Sequence, residues 1–399
     1  MKAKTDFPIF DAHPELVYLD SAATTHKPKQ VIDAISDFYS SEYGTVHRGI
    51  YDLSVGSTQR YTNARKAIQA FIHAPNAHNI IFTKGTTDSI NLVAFGYAMN
   101  HINEGDELLI TEIEHHANFV PWQQVAQLKK ARLVFAPIED SGELDIETFF
   151  NCITEKTKLI AMTHISNVLG TLFPVHQIIS KAKSLGIPIL IDGAQAIAHE
   201  PINCGEMDPD FYCFSGHKMY GPTGIGVCYV SDRMLSKLNP ITFGGDMIES
   251  VSKERTTFTN APLKFEAGTP PIAEVIGLHA AVDYIQSKKQ DDINMNAKRL
   301  TEILLREFER MSDIQVIGRA HERGPVISFT IDGIHPHDIG SILDTENIAV
   351  RVGHHCSQPT MRRFNLPATV RVAFGIYNNE DDIVFLLKGL ERVIEVFKQ

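Results

Sequence analysis

Between residues 79 and 230 the sequence alternates short apolar runs with segments of helical periodicity, and this alternation constrains the fold most. The runs cover residues 80–83, 107–113, 132–136, 158–163, 187–191 and 226–230. Several are apolar nearly throughout, as expected of strands that are covered on both faces. The pattern predicts an α/β fold with a mostly parallel sheet, in which ligands bind beyond the carboxyl ends of the strands.

Beyond residue 230 the pattern changes and divides the chain. Residues 240–272 are rich in Gly, Thr and Pro and predict a long excursion, whereas 273–310 predict helix. A second βα block follows, and its last helix has an apolar stripe and an acidic first turn. We expect an N-terminal segment (1–19) that packs with the small domain, a large α/β domain (20–260), a connecting segment (261–280) and a small α+β domain (281–399).

Charge and cysteine usage narrow the class of protein. The chain has 37 Lys and Arg against 48 Asp and Glu, a net charge of −11, which excludes a non-specific nucleic-acid binder or a polybasic membrane protein. No apolar run approaches the roughly 18 residues of a membrane span, and no apolar stretch follows the N-terminal lysines. The five scattered cysteines form no CxxC pair. We therefore expect a cytoplasmic protein with no nucleic-acid or membrane partner.

Polar residues follow three of the runs at the sheet edge where a ligand should bind. Gly85, Thr86 and Thr87 follow the first run and open a helix, so they fit either an anion site or an ordinary N-cap. His115 follows the second, and its ring fits stacking on a planar ligand, a core position or a metal site. Asp192 follows the fifth, and as a buried carboxylate it needs a cationic partner, such as a cofactor ring nitrogen or an arginine, or else serves as an N-cap.

The densest cluster of polar residues and glycines lies at 215–226. Lys218 follows an apolar stretch, and the next segment, 221–226, holds three glycines and a proline. Most lysines are solvated surface groups, but a desolvated lysine near other cations has a lowered pKa and attacks carbonyl compounds. An anion cup, a stacking histidine, an aspartate for a ring nitrogen and a reactive lysine together describe a pyridoxal phosphate site.

The chain resembles the cysteine desulfurases of the SufS/CsdA type, in the class V aminotransferase group of fold-type I pyridoxal phosphate enzymes. The matching motifs are Tyr18-Leu19-Asp20-Ser21-Ala22-Ala23, His47-Arg48-Gly49, Gly85-Thr86-Thr87, Glu114-His115-His116-Ala117-Asn118, Asp192-Gly193-Ala194-Gln195, His217-Lys218, Phe265-Glu266-Ala267-Gly268-Thr269-Pro270 and Arg351-Val352-Gly353-His354-His355-Cys356. The last is the most diagnostic. The resemblance implies a seven-stranded type of sheet in the large domain.

The resemblance also implies a role for each matching residue. Lys218 would bind the cofactor covalently and move protons at the substrate Cα, His115 would stack on the ring, and Asp192 would pair with the ring nitrogen. Gln195 would hydrogen-bond the ring hydroxyl. The phosphate would be held by Thr86, Thr87, Ser215 and His217, and by Thr269 of a neighbouring subunit, which implies a homodimer. The substrate would meet Ala23, His47, Arg48, Asn167, Arg351 and Arg371, with Asn167 and Arg371 on its carboxylate.

Cys356 is set apart from the other cysteines by its surroundings. Cys213 and Cys228 lie inside apolar runs, as most free cysteines do, whereas Cys356 follows two histidines and has arginines near it in sequence. Nearby cations favour the reactive thiolate. By resemblance the Cys356 thiolate attacks the sulfur of L-cysteine, L-alanine is released, and the persulfide passes to a small SufE- or SufU-like acceptor for iron–sulfur cluster assembly.

Departures from the family pattern and rival functions stay open at this point. Val352 stands where the family usually has Thr, Tyr51 where His is common, and Arg362-Arg363 follow the cysteine loop. A selenocysteine lyase shares the whole site, whereas a kynureninase-like or epimerase-like enzyme would not need Cys356. A non-enzymatic scaffold with a degenerate site predicts a colourless protein. A zinc hydrolase predicts bound metal, but three adjacent ligands rarely form a tetrahedral set.

Overall fold

The computed structural model describes residues 3–397, apart from the side chain of Gln290. Its strands are β1 Val17–Tyr18, β2 Ile80–Thr83, β3 Glu107–Thr111, β4 Arg132–Ala136, β5 Thr157–Thr163, β6 Ile189–Asp192, β7 Phe211–Ser215, β8 Gly226–Val230, β9 Ile248–Val251, β10 Thr256–Phe258, β11 Ile314–Ile317, β12 Val326–Ile331, β13 Ile348–Ala349, β14 Arg351–Gly353 and β15 Thr369–Ala373. Its α-helices are α1 Pro8–Ala12, α2 Lys29–Asp37, α3 Asp52–Phe71, α4 Thr86–Val93, α5 Met99–His101, α6 Val120–Lys129, α7 Ile146–Asn151, α8 Val175–Ser184, α9 Cys204–Met207, α10 Asp232–Leu235, α11 Ile272–Ser287, α12 Gln290–Arg310, α13 Pro336–Thr345, α14 Gln358–Arg363 and α15 Glu380–Phe397.

The larger sheet has seven strands in the order β2-β8-β7-β6-β5-β3-β4. Strand β8 runs antiparallel to both of its neighbours, and the other pairs are parallel, which confirms the predicted mostly parallel sheet. Every residue of β3, β6, β7 and β8 is buried, as their apolar composition predicts for strands with helices on both faces. The carboxyl ends of β5, β6 and β7 therefore meet at one edge.

The smaller sheet is antiparallel, with the order β11-β12-β15-β14, and helices α12, α13 and α15 contribute to its core. In the pairing of β14 with β15, Arg351 lies opposite Arg371. The N-terminal segment contacts elements that belong to each of the two parts of the chain. Val17 pairs with Ile348 and Leu19 joins the small core, whereas the Phe7 ring contacts the ring of Tyr284 on α11. The division of the chain into domains stays a prediction.

The structure adds detail to three sequence expectations. Residues 240–272 include a hairpin of β9 and β10 within the predicted excursion. Residues 273–310 form two helices, α11 and α12, because Lys289 has a φ of +58° that a continuous helix cannot contain. Asp192 is the last residue of β6 and is buried, as expected of an aspartate that ends an apolar strand. Within residues 3–397, no helix combines the length and the apolar character needed to cross a membrane.

Candidate active site

A cavity of about 240 Å³ opens at the carboxyl ends of β5, β6 and β7 and is closed on its other side by the small sheet. All but three of the predicted site residues line it. These are Ala23, Thr86, Thr87, His115, Asn167, Asp192, Gln195, Ser215, His217, Lys218, Arg351, Cys356 and Arg371. The cavity thus has two sides, which we call the floor, made by the large sheet and α4, and the wall, made by the small sheet and the loop of Cys356.

One end of the floor is built to bind an anion. Helix α4 begins at Thr86, whose backbone N–H and hydroxyl both meet the hydroxyl oxygen of Ser215 at 2.8 Å. The preceding Gly85 has a φ of +154°, and an added Cβ there would lie 3.2 Å from the same Ser215 oxygen. Glycine is therefore required for this close approach. A helix N-terminus favours a bound anion, so the first turn of α4, with the Thr87 hydroxyl beside it, suits a phosphate.

Lys218 and Asp192 form the chemical centre of the floor. Lys218 lines the cavity from the turn after β7, and burial together with the charges of Arg371 and Arg351 lowers its pKa to about 8. Asp192 is 4% exposed, and its Oδ1 accepts a hydrogen bond from the N–H of Ala194 at 2.9 Å. Burial raises the pKa of Asp192, and the positive charge of Lys218 opposes that effect. A cation beside Asp192 would therefore stabilise its ionised form.

His115 presents a flat, neutral ring to the cavity. Its Nδ1 accepts a hydrogen bond from the N–H of Ala117 at 3.0 Å. Burial, with the nearby charge of Lys218, lowers the pKa of His115 to about 3. A neutral imidazole that accepts at Nδ1 carries its proton on Nε2. Such a ring can stack on a planar ligand without adding charge. The side-chain amide of Gln195 also lies on the floor, and its Nε2 donates a hydrogen bond to the carbonyl of Ala22 at 2.8 Å.

The wall holds two arginines around one carboxylate. Arg371 donates from Nη2 to Asp20 at 3.0 Å, and Arg351 lies 3.5 Å from the other Asp20 oxygen. The two arginines face each other across β14 and β15, where like charges repel, so Asp20 offsets that repulsion. Arg371 is 2% exposed, and its Nε has no hydrogen-bond partner among the described residues. An unpaired buried guanidinium N–H favours an acceptor from a ligand, and a carboxylate fits it best.

Cys356 is exposed and lies in a loop with unusual backbone angles. His355 and Cys356 have φ values of +51° and +54°, and Gly353 has a φ of +117°. Two consecutive non-glycine residues in the left-handed region cost about 1–3 kcal/mol each and persist only where the surroundings hold them. The carbonyl of His355 accepts a hydrogen bond from the Asn167 amide at 2.8 Å. The carbonyl of Cys356 accepts one from the N–H of His116 at 2.7 Å.

Further contacts tie the same loop to the floor. The Ser357 hydroxyl donates to the carbonyl of Glu114 at 2.9 Å, and the N–H of Gln358 donates to Nε2 of His116 at 3.1 Å. The Glu114 side chain is buried and accepts from the Thr163 N–H at 3.1 Å, so the segment that receives the loop is itself anchored to β5. The thiol is accessible, but its backbone is held on both sides.

Comparison with known proteins gives the chain a family. The sequence profile described as aminotransferase class-V matches residues 17–386. The chain belongs to the class-V aminotransferase family. Probable cysteine desulfurases of Halalkalibacterium halodurans and Staphylococcus aureus are 45% and 46% identical to it over 394 and 396 residues, which cover 98% of this chain and 97% and 96% of theirs. Relatives of this length and identity place it among the cysteine desulfurases of that family.

Solved structures support the same placement. The crystal structure of the Escherichia coli cysteine desulfurase CsdA, in its S-sulfonic acid form, has a TM-score of 0.92 and 35% identity, covering 98% of this chain and 97% of CsdA. The apo cysteine desulfurase of Thermococcus onnurineus has a TM-score of 0.95 and 34% identity, with the same coverages. A cystine C–S lyase, C-DES, has a TM-score of 0.83 and 21% identity, and this likeness concerns the fold alone.

Three residues expected in a class-V site lie outside the cavity of this chain. His47 and Arg48 are exposed on the segment before α3, and Thr269 is exposed on the segment before α11. Arg48 lies 3.4 Å from the carboxylate of Asp246, and the His47 ring meets the ring of Tyr61 edge-on at 5.7 Å. A single chain therefore does not bring these three side chains to its own floor or wall.

Sequence reasoning missed three residues that shape the site. Asp20 holds the two wall arginines, while His116 and Ser357 hold the cysteine loop. All three lie within or beside the quoted motifs, but no spacing links Asp20 to Arg371, which is 351 residues away. The signal that the sequence offers is the carboxylate of Asp20, which stands within a matching motif while two arginines are expected at the same site. It becomes specific only when the fold is known.

The departures from the family pattern lie away from the floor. Val352 packs against α13, where a Cβ added to Gly340 would lie 2.7 Å from Val352 Cγ1. Arg363 pairs with Glu112 at 2.9 Å and with Asp140 at 2.8 Å, so its charge is bound outside the cavity. Among the described residues, no group of three or more His, Cys, Asp or Glu is arranged to hold a metal ion.

Proposed function

We propose that this chain is a pyridoxal phosphate-dependent cysteine desulfurase that converts L-cysteine to L-alanine and keeps the sulfur as a persulfide on Cys356. The observation that carries the proposal is that Lys218 and the exposed thiol of Cys356 line one cavity. The full-length relatives named cysteine desulfurase support it. The remaining cavity residues are then assigned to the cofactor, the substrate carboxylate and the thiol.

The floor fits pyridoxal phosphate. The first turn of α4 with Thr86 and Thr87 suits the phosphate, and Ser215 and His217 complete that end. Asp192 suits the ring nitrogen for two reasons. Within residues 3–397 its carboxylate accepts a hydrogen bond at Oδ1 alone, so Oδ2 is left for the cofactor. A cation beside this carboxylate would also offset the cost of burying its charge. When bound, the cofactor supplies a ring that withdraws electrons from the substrate Cα. His115 would cover the ring face, and Gln195 would meet the ring hydroxyl.

Lys218 links the cofactor and moves the Cα proton. An amine is nucleophilic only when neutral, and the lowered pKa of Lys218, about 8, makes the neutral form accessible near neutral pH. Lys218 would hold the cofactor through its amine, and the same amine, when neutral, would remove the proton from the substrate Cα. The same group later returns a proton to the product. Asp192, which favours the charged form of Lys218, limits how far this pKa falls.

The wall orients the substrate for attack by Cys356. Arg371, with its unpaired Nε, and the Asn167 amide bind the substrate carboxylate. Ala23 and Arg351 line the same part of the cavity. The Cys356 sulfur attacks the substrate sulfur, so a new S–S bond forms as the C–S bond of cysteine breaks. The electron pair of that bond goes to the carbon, which is then protonated. L-cysteine and the Cys356 thiol thus give L-alanine and a Cys356 persulfide, with atoms and electrons balanced.

The protein acts as a homodimer in this proposal. Large apolar side chains beside His47 and Arg48 are exposed, among them Ile50 at 97%, and Phe243 near Arg48's partner Asp246 is exposed at 68%. Apolar surface of this kind is typical of an interface. A second copy covering it would bring His47, Arg48 and Thr269 to the neighbouring cavity, where Thr269 would meet the phosphate. Sedimentation velocity of the holoenzyme tests this, and a stable monomer would contradict it.

The sulfur then leaves through an exchange with a second protein. The acceptor thiolate attacks the outer sulfur of the persulfide, and Cys356 leaves as a thiolate, so no external redox agent is needed. The exposure of Cys356 allows that approach. We assign this role to a small SufE- or SufU-like acceptor that serves iron–sulfur cluster assembly in the cytoplasm. Transfer of labelled sulfur from L-cysteine to a purified acceptor of either type tests this part.

The decisive experiment is the mass of the Cys356 peptide after brief incubation with L-cysteine and no reductant. One added sulfur on Cys356, and on no other cysteine, is the expected result. No added sulfur, from a protein that still forms alanine from selenocysteine, would instead identify a selenocysteine lyase. A colourless protein that forms no alanine from either substrate would contradict both and favour a scaffold with a degenerate site.

A further inference from the structure

A buried ion pair lies behind the exposed surface that carries His47, Arg48 and Thr269. Arg65 on α3 donates from both Nη atoms to the two carboxylate oxygens of Glu266, each at 2.7 Å. The two side chains are 9% and 5% exposed. A buried ion pair rarely adds stability over well-packed apolar side chains, since both charges lose their water. A pair kept in such a place is better explained by the geometry that it fixes.

The pair is locked in one arrangement. Glu266 accepts two further hydrogen bonds, from the Phe82 N–H at 2.8 Å and from the Tyr61 hydroxyl at 3.0 Å. Arg65 also donates to the carbonyl of Ile80 at 2.6 Å, and its guanidinium lies 4.4 Å from the centre of the Phe82 ring. Helix α3, strand β2 and the segment before α11 are thereby joined at a single point.

One side of this point leads to Thr269. Thr269 follows Glu266 by three residues, and between them Gly268 has a φ of +82° and donates its N–H to the carbonyl of Gly245 at 2.9 Å. The position of Glu266 therefore sets where the exposed Thr269 hydroxyl lies. A shift of Glu266 would pass directly into this short segment.

The other side leads to His47 and Arg48. The Tyr61 ring, whose hydroxyl is bound to Glu266, meets the His47 ring edge-on, and the His47 N–H donates to the Thr58 hydroxyl of the same helix at 2.9 Å. Arg48 lies 3.4 Å from Asp246, which follows the Gly245 that holds Gly268. The three site residues outside the cavity, which we call the donor residues, are thus connected through one pair and its neighbours.

We propose that the Arg65–Glu266 pair is a positioning device that holds the donor residues His47, Arg48 and Thr269 as one unit to complete the cavity of the partner subunit. This rests on the homodimer of the proposed function. It assigns Arg65, Tyr61 and Glu266 a part in a reaction whose atoms none of them touches. Strand β2, which also meets the pair and leads to Thr86 of the chain's own floor, is held independently by its pairing with β8, so a change in the pair should impair the other subunit's cavity and spare its own.

Dimers of two differently tagged copies, purified by both tags in succession, test this consequence. In the first dimer a Lys218→Ala copy is paired with a Glu266→Gln copy. The only working cavity lies in the Glu266→Gln copy and receives unaltered donor residues. We expect alanine formation equal to that of a dimer between Lys218→Ala and the unchanged chain.

In the second dimer one copy carries both changes and the other carries none. The working cavity is now unaltered, but its donor residues come from the doubly changed copy. We expect the rate of alanine formation to fall by about 10-fold to 100-fold, the range expected when a positioning error approaches 1 Å. We also expect the cofactor absorbance of the working cavity to decline faster on dialysis, which gives a readout besides activity.

Loss in the first dimer, or equal rates and equal cofactor retention in the two dimers, would overturn the proposal. An unchanged chain that sediments as a fully active monomer would overturn the homodimer as well, so the two failures are distinguishable. Because Glu266→Gln leaves a buried arginine unpaired and can prevent folding, Tyr61→Phe is the second variant. It removes one hydrogen bond, keeps the ring against His47, and should give the same asymmetry with a loss of a few-fold.

Asp210→Asn is the matched structural control. Asp210 is also buried and charged, and it accepts from Arg233 Nε at 2.7 Å and from the Ile189 N–H at 3.0 Å, at the start of β6 and away from the donor residues. We expect this change to lower the melting temperature without any difference between the two pairings. An asymmetry in this control would show that any buried charge acts in this way, and would overturn the specific role of Arg65 and Glu266.

Discussion

The floor and the wall of the cavity are built from different parts of the chain. On the floor, Thr86, Asp192 and Lys218 each lie at or just after a strand of one mostly parallel sheet, so the sheet alone brings them together. On the wall, Arg351 and Arg371 come from the small sheet and meet Asp20, which follows the N-terminal segment. The floor is rigid secondary structure, whereas the wall is an assembly of distant segments.

This difference separates two kinds of chemistry. The floor residues suit the cofactor and the Cα proton, and the wall residues suit the substrate carboxylate and its sulfur. The two sides meet through hydrogen bonds from Asn167 to the His355 carbonyl and from His116 to the Cys356 carbonyl. Changes on the floor should therefore remove both the cofactor linkage and the activity, whereas changes on the wall should spare the linkage.

The largest effect is expected from Lys218→Ala on the floor. The change removes the nucleophile for the cofactor and the base at Cα, so alanine formation should fall by at least about 10³-fold. The absorbance of the covalently linked cofactor should disappear with it. Lys129→Ala is the control, since Lys129 also lies half-buried, with its Nζ bound to the Met99 carbonyl at 3.1 Å. Retained activity in Lys218→Ala would remove this residue from the mechanism.

Cys356→Ala should give the next largest loss and a different signature. Alanine formation from L-cysteine should fall by about 10²-fold or more because the sulfur has no acceptor, while the cofactor absorbance stays unchanged. Cys152→Ala, a partly exposed cysteine outside the cavity, is the matched control. If Cys356→Ala lost the absorbance as well, floor and wall would not be separable in the way described.

Asp20→Asn should weaken the wall without touching the floor. With the carboxylate gone, the charges of Arg351 and Arg371 repel each other and Arg371 loses one of its fixed contacts. We expect the KM for L-cysteine to rise about 10-fold, which corresponds to about 1.4 kcal/mol, with kcat and the cofactor absorbance little changed. Asp208→Asn is the control, because Asp208 likewise binds two cations, Lys183 and Arg233, on another surface. A fall in kcat with unchanged KM would assign Asp20 to the chemical step.

The smallest effect is a shift in the pH dependence of cofactor binding, which links the two sides. The rate of cofactor incorporation into the apoprotein should rise with pH around pH 8, as Lys218 loses its proton and becomes nucleophilic. The wall cation Arg351 lowers the pKa of Lys218, so Arg351→Met should move the midpoint to higher pH. The exposed Arg362, changed in the same way, should leave the midpoint in place. A midpoint that is unmoved or falls in Arg351→Met contradicts this coupling.

The floor was largely predictable because its sequence is local. An apolar run followed by a polar residue identifies a strand end, and in a parallel sheet such ends share one edge. Thr86, His115 and Lys218 were identified in this way, and each lines the cavity. Boundaries were less certain, as the length of β6 and the break between α11 and α12 show. The packing of neighbouring elements determines where a strand or helix ends, and a pattern along the sequence does not contain that information.

The wall was predictable only through the resemblance. No periodicity joins Asn167 to the Cys356 loop, which lies 188 residues away from it. The motif around Cys356 indicated a reactive thiol, but not the backbone contacts that hold His355 and Cys356 in the left-handed region. Those contacts come from Asn167 and from His116, and Glu114 holds the adjacent Ser357.

The sequence by itself determined the α/β class, the strand-end residues of the floor and the distinct character of Cys356, because these depend on periodicity and on neighbours along the chain. Only the tertiary structure decided which contacts hold the wall together, that Asp20 joins two arginines, and that His47 and Arg48 lie outside this chain's cavity. The physical reason is the distance along the chain between the residues that interact. Helices and strands are set by nearby residues, whereas a cavity wall is set by packing between segments hundreds of residues apart.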